Sequence, residues 1–122
     1  MLRLWPEPPH LAAIWRAYQR TYDRVGNDPI VGRRLVQLLA QAGLQPRRIE
    51  LLPFGACSGD PAFVPLVQNL AEILRGAREA ILATGGASAE EHAGVLEALD
   101  AFATRTDAAL WYTISWAEAV KP

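Results

Sequence analysis

The sequence holds a single cysteine, Cys57, so no disulfide can close within the chain, and a cytosolic setting is the expectation. Only two histidines occur, His10 and His92, and no cysteine or second histidine sits at metal-ligand spacing from either. Neither a metal centre nor imidazole catalysis is expected from them. An excess of either charge is missing too: 12 basic and 13 acidic side chains leave a net charge of −1. Without a long-range field to recruit a polyanion, nucleic acid and anionic membranes are not expected partners. Charged residues break every apolar run well before the ~20 residues that span a bilayer. The opening MLRLWPEPPH, with its prolines and acid, does not read as a secretory signal. Gly-x-Gly follows no strand-like segment, so the usual Gly-rich cradle for a nucleotide cofactor is also missing.

What is present suits one folded domain over residues 1–122, since 51% of the residues are apolar and 20% charged. Leu11, Ile14, Trp15, Tyr18, Tyr22 and Val25 recur at helical steps, predicting a helix from Pro9 to Arg24 that ends at Gly26. Asp28 followed by Pro29 opens a second helix, which stops at Gly43 with Leu44 folding back. Arg47 to Ala56 reads as a strand in which Pro53 limits pairing along one edge. Asp60-Pro61 starts a long helix to Gly85-Gly86. Ser88, with Glu91 three residues on, signs a capping box for the next. Ala108 to Val120 reads as a strand, its residues from Leu110 to Ala117 alternating and apolar or small on both faces. The expected fold is α+β, four helices on a two-stranded antiparallel ribbon, in the order α-α-β-α-α-β.

Two strands make a poor sheet on their own, and a long apolar strand with a free edge invites association. A second copy of the chain, or a separate protein supplying a larger sheet, is the expected partner. Among single residues, Cys57 reads as a small buried or half-buried thiol and His92 as solvent-facing or a partial core contact. Arg33-Arg34 and Arg47-Arg48 read as a solvated helix face and the start of a strand, and Asp28 and Asp60 as helix caps. The stripe Trp15, Tyr18, Tyr22, with Trp5 upstream, is either core or the wall of an apolar pocket.

The stretch GNDPIVGRRLVQLLAQAGL, Gly26 to Leu44, followed by RRIELLPFGA, resembles the C-terminal part of class I S-adenosylmethionine-dependent methyltransferases of the UbiE-like and methyltransferase-11/25 type. ALWYTISWAEAVKP, Ala109 to Pro122, is similar to the seventh strand of that family, which lies antiparallel beside the fifth. The resemblance implies a Rossmann-like C-terminal portion with a helical insertion over 60–105. It also implies a lid over the methyl acceptor, in which Trp5, Trp15, Tyr18 and Tyr22 would meet a planar or apolar acceptor, with Arg33 bordering the cleft. The family's first strand, its Gly-rich turn and its acidic second-strand end have no counterpart here. No cofactor, S-adenosylmethionine included, is therefore expected to bind this chain alone, and no catalytic or cofactor-binding residue is assigned. A separate cofactor-binding half or a homo-oligomer is the partner implied.

Overall fold

Pro8 and Pro9 bring the chain to its first helix, α1, which runs over Leu11–Arg20 in the computed structural model of Met1 to Pro122. Leu11, Ile14 and Ala17 form its buried stripe. Beyond Arg20 the helix tightens to the 3₁₀ form over Thr21–Val25 and stops at Gly26, whose φ of 69° no β-carbon favours. Three residues per turn carry Val25 off the stripe, which explains its exposure in place of the expected core position.

The second helix is shorter than its pattern suggested. The Asp28 carboxylate accepts the Ile30 N–H at 2.9 Å, as a cap should, but one 3₁₀ turn (Val31–Arg34) precedes α2 (Leu35–Gln41). At its end the Gly43 and Leu44 N–H groups donate to the Ala40 and Leu39 carbonyls, completing the expected Schellman ending. The helix expected from Pro61 to Gly85 divides into α3 (Phe63–Gly76) and α4 (Arg78–Ala83). His92 takes the Leu74 carbonyl at 2.8 Å near the break, and Gly76 holds a helix weakly. The last helix, α5 (Ala89–Ala103), carries the full capping box at Ser88 and Glu91.

Three strands rather than two form the sheet: β1 (Leu2–Trp5), β2 (Gln45–Cys57) and β3 (Ala109–Val120), in spatial order β1-β3-β2. Both pairings are antiparallel, so β1 and β2 run parallel on either side of β3. The element order is therefore β-α-α-β-α-α-α-β, with five α-helices in place of the expected four.

Register decides which backbone groups remain open. Met1 and Thr113 exchange both hydrogen bonds, so by alternation Arg3 and Trp5 also bond to β3. The N–H and C=O groups of Leu2 and Leu4 then face the open side of β1. On β2 the Ser58 N–H donates to the Ala108 carbonyl, which puts Ala56, Phe54, Leu52, Glu50 and Arg48 in the bonded set. Pro53 therefore lies on the outer edge, where a missing N–H breaks no ladder bond. Gly55 sits opposite Trp111, and a β-carbon there would run into the Leu110 carbonyl and reach 2.6 Å from Trp111 Cβ.

Leu4 and Leu110, paired across β1 and β3, turn the same face into the core with Ile14, Phe63, Leu70, Leu74, Val95 and Leu99. The opposite face receives the turn before α2, with Gly32 so close that a β-carbon would lie 2.7 Å from Ser115 Oγ. The sheet is thus covered on one face at one end and on the other face at the other end. It is not covered on both sides along its length. Ile114 (52% exposed) and Leu52 (44%) on one face, and Trp5 (68%) on the other, remain in solvent.

Candidate functional site

The aromatic segment was the sequence's main site candidate, and the fold divides it. Side chains alternate along β1, so Leu4 facing the core sends Trp5 to the opposite side of the sheet from α1. Trp5 does not join Trp15, Tyr18 and Tyr22. These three stay together on α1 and the turn after it: the Trp15 and Tyr18 rings are 5.1 Å apart, and Tyr18 meets Tyr22 edge-on at 5.7 Å. The two phenol oxygens share a hydrogen bond of 3.0 Å. Partial burial, reinforced by that bond and by the neighbouring phenol, pushes the Tyr18 hydroxyl up to about 12.

Trp15 also forms a wall of a cleft of about 500 Å³ between α1 and β1. Its floor is Leu2, Leu4 and Leu11, and Arg3, Glu7, Arg16 and Gln19 bring polar groups to its rim. An apolar floor with a few polar groups around it suits a small planar or apolar molecule. Tyr18 and Tyr22 do not line this cleft; Tyr18 packs against the core. Of the stripe, Trp15 alone has both surroundings.

Arg33 lies in the 3₁₀ turn before α2, largely exposed, with its guanidinium 3.8 Å from the Asp28 carboxylate. Arg34 approaches the same carboxylate at 3.7 Å, so Asp28 both caps the turn and gathers two arginines. Arg33 borders a second, wider cleft of about 910 Å³, with Ile30, Val31 and Leu35 on one side and Ile49, Leu51 and Ser115 on the other. Met1 and Ile30 belong to both clefts, so Trp15 and Arg33 border adjoining hollows around the start of β1.

A third cleft, about 440 Å³, escaped the sequence reading. It lies between Pro6–His10 and α5, and brings Glu7, His10, Glu97 and Arg105 to one place. His10 is held at φ 65°, in the left-handed region, with its ring against Gly94, where a β-carbon would be 3.3 Å from Cδ2. The pattern His10…Gly94 spans most of the chain, so no local spacing could have announced it.

The remaining reactive groups have structural employment. Ser58 Oγ donates to the Ala108 carbonyl at 3.1 Å and accepts the Ala108 N–H at 3.0 Å. Cys57 is exposed at the end of β2, against the expectation of a buried or half-buried thiol, because β2 is an outer strand. His92 is buried and holds two helices together, where the sequence suggested a solvent-facing or partial contact. Hydrogen bonds from Ser88 hold the Glu91 carboxyl below its ordinary range, and Arg105 does the same for Asp107. Burial pushes the Tyr112 hydroxyl up, with Phe54 stacked on its ring at 5.1 Å.

No group of three or more His, Cys, Asp or Glu side chains is placed to hold a metal ion. No helix is long and apolar enough to cross a membrane. No protein-family model matches the chain, and no curated protein matches it.

Proposed function

We propose that this chain is the acceptor-side, C-terminal segment of an S-adenosylmethionine-dependent methyltransferase and does not transfer methyl groups by itself. The observation that carries the reading is β3 lying antiparallel beside β1, with α2 and β2 between them in sequence. That is the pairing which the resemblance implies for its seventh and fifth strands, with the helices from Phe63 to Ala103 as the insertion. The open side of β1, where Leu2 and Leu4 offer unbonded N–H and C=O groups, is where cofactor-binding strands would continue the sheet. Trp15 and the cleft at α1 would then receive a planar or apolar acceptor, and Arg33 an acidic group on it.

Calorimetric titration with S-adenosylmethionine tests this. The chain alone gives no binding heat, whereas the chain co-produced with the polypeptide encoded directly upstream binds the cofactor. Tight binding by the chain alone overturns the missing cofactor site. Absence of binding in the co-produced sample overturns the methyltransferase reading.

A second reading is a non-enzymatic dimeric module that associates through its β-ribbon and binds a small apolar ligand. It is favoured by the exposure of Ile49 (52%), Leu51 (67%) and Ile114 (52%) on that ribbon.

A further inference from the structure

β3 has twelve residues, and β1 accompanies only its first part. Pairing on that side begins at Ala109 opposite Trp5 and ends with Met1 against Thr113. From Ile114 to Val120, therefore, one side of β3 has no neighbouring strand. The alternation that sends Ile114, Trp116 and Glu118 to β2 sends the N–H and C=O groups of Ser115, Ala117 and Ala119 into this gap. The other outer edge is less inviting, because Pro53 interrupts its donors midway.

We propose that this open length of β3 pairs antiparallel with the same length of a second copy, about a two-fold axis at Ala117. The inference rests on the second reading above and names its strand and register. Three features favour this occupant. The side chains flanking the approaching backbone on one face are Ser115, Ala117 and Ala119, small enough not to hold the copies apart. On the other face, Ile114 meets Val120 of the second copy, both exposed in one chain (52% and 38%). Glu118 of the second copy comes opposite Trp116, over whose ring Arg48 lies at 4.9 Å while paired with Glu50 at 3.1 Å, so each carboxylate joins an existing charge pair on its guanidinium side. A register shifted to put Glu118 on the axis would instead oppose two carboxylates.

Ala117→Pro is the discriminating variant. Its N–H bonds to nothing within one chain, so proline removes no intrachain bond, yet it deletes the two central bonds between copies. Light scattering on eluting wild-type protein at micromolar concentration should give a dimer, and Ala117→Pro a monomer with unchanged far-ultraviolet dichroism. A second variant needs no proline: Ile114→Cys with Val120→Cys in a Cys57→Ser background should oxidise to a covalent dimer, since in this register the two positions face each other as a non-bonded pair, whose side chains stand close enough for a disulfide. Covalent dimer formation supports the register even where the proline variant unfolds. A monomeric wild type overturns both this inference and the dimeric module. A dimer that survives Ala117→Pro, or a cysteine variant that stays uncrosslinked, overturns this register while leaving the module standing.

Discussion

His92 shows how a single polar side chain is made to serve a core. It is 1% exposed, and its Nε2 lies 2.8 Å from the carbonyl of Leu74, a group in the last turn of α3. Carbonyls there lack the helical N–H partner that interior ones have, so the imidazole N–H supplies it. His92→Leu keeps the volume but strands that carbonyl, and should cost about 1–3 kcal/mol of unfolding free energy in a urea titration. Unchanged stability would show that the carbonyl finds water instead. Tyr18 makes the complementary case on the surface of α1. Its hydroxyl ionises at about 12 in the folded chain against 10.0 ordinarily, so the folded state holds this proton more tightly. The stabilisation is whole below pH 10.0 and is lost as the pH rises through about 12. Tyr18→Phe should flatten that alkaline limb and cost about 1 kcal/mol at neutral pH, the usual worth of one hydrogen bond. Phenolate absorbance followed against pH reads the first effect directly. A wild-type profile without the limb would mean that neither the partial burial of the Tyr18 hydroxyl nor its bond to Tyr22 persists in solution.

Whole elements were readable wherever their signals are local. Ser88 and Glu91 are three residues apart, and both halves of the box form: Glu91 N–H to Ser88 Oγ at 3.0 Å, and Ser88 N–H to the Glu91 carboxylate at 2.8 Å. Ser88→Ala should cost about 1 kcal/mol. It should also soften the acid limb without abolishing it, because the Ser88 backbone N–H, which the variant keeps, does most to hold the Glu91 carboxyl below its ordinary range, and the lost hydroxyl does the rest. A lowered carboxyl stabilises the fold above the ordinary value and loses that contribution as pH falls. Stability of the variant should therefore depend less on pH at the acid end, as thermal unfolding across acidic buffers would show. Equal slopes in both proteins would sink the link. The elements missed were those decided by distant partners. Leu2–Trp5 is too short to display alternation, and becomes a strand because Leu110 and Tyr112 receive it from the far end of the chain. The same distance hid Trp5's place: its nearness in sequence to Trp15 suggested one aromatic wall, but strand alternation separates them. The spacing on α1 did hold for Trp15, Tyr18 and Tyr22, which stay in contact.

At the scale of the molecule, burial is thin. Only 17 of 122 residues are buried, and nearly all of them lie between α1, α3, α4, α5 and the β1 end of the sheet. The far end of the ribbon has α2 on one face and solvent on the other, so its backbone pairing is supported by little apolar contact. Composition foretold a core but not its lopsidedness, because the same leucines and isoleucines serve buried and exposed positions alike. Leu51 and Leu52 are both exposed, while Leu70 and Leu74 are fully enclosed. A chain so built should gain stability from whatever closes the ribbon. If the closing partner is a second copy, mass action makes the thermal midpoint rise with protein concentration, since dilution favours the less stable single chain. The wild-type midpoint should climb steadily over a wide dilution series, whereas Ala117→Pro should give one midpoint throughout, equal to the dilute limit of the wild type. A wild-type midpoint independent of concentration, together with a monomer by scattering, would mean that the ribbon end is stable while bare. The sheet's partner would then belong on the open side of β1, where Leu2 and Leu4 still offer unbonded backbone to a strand from another chain.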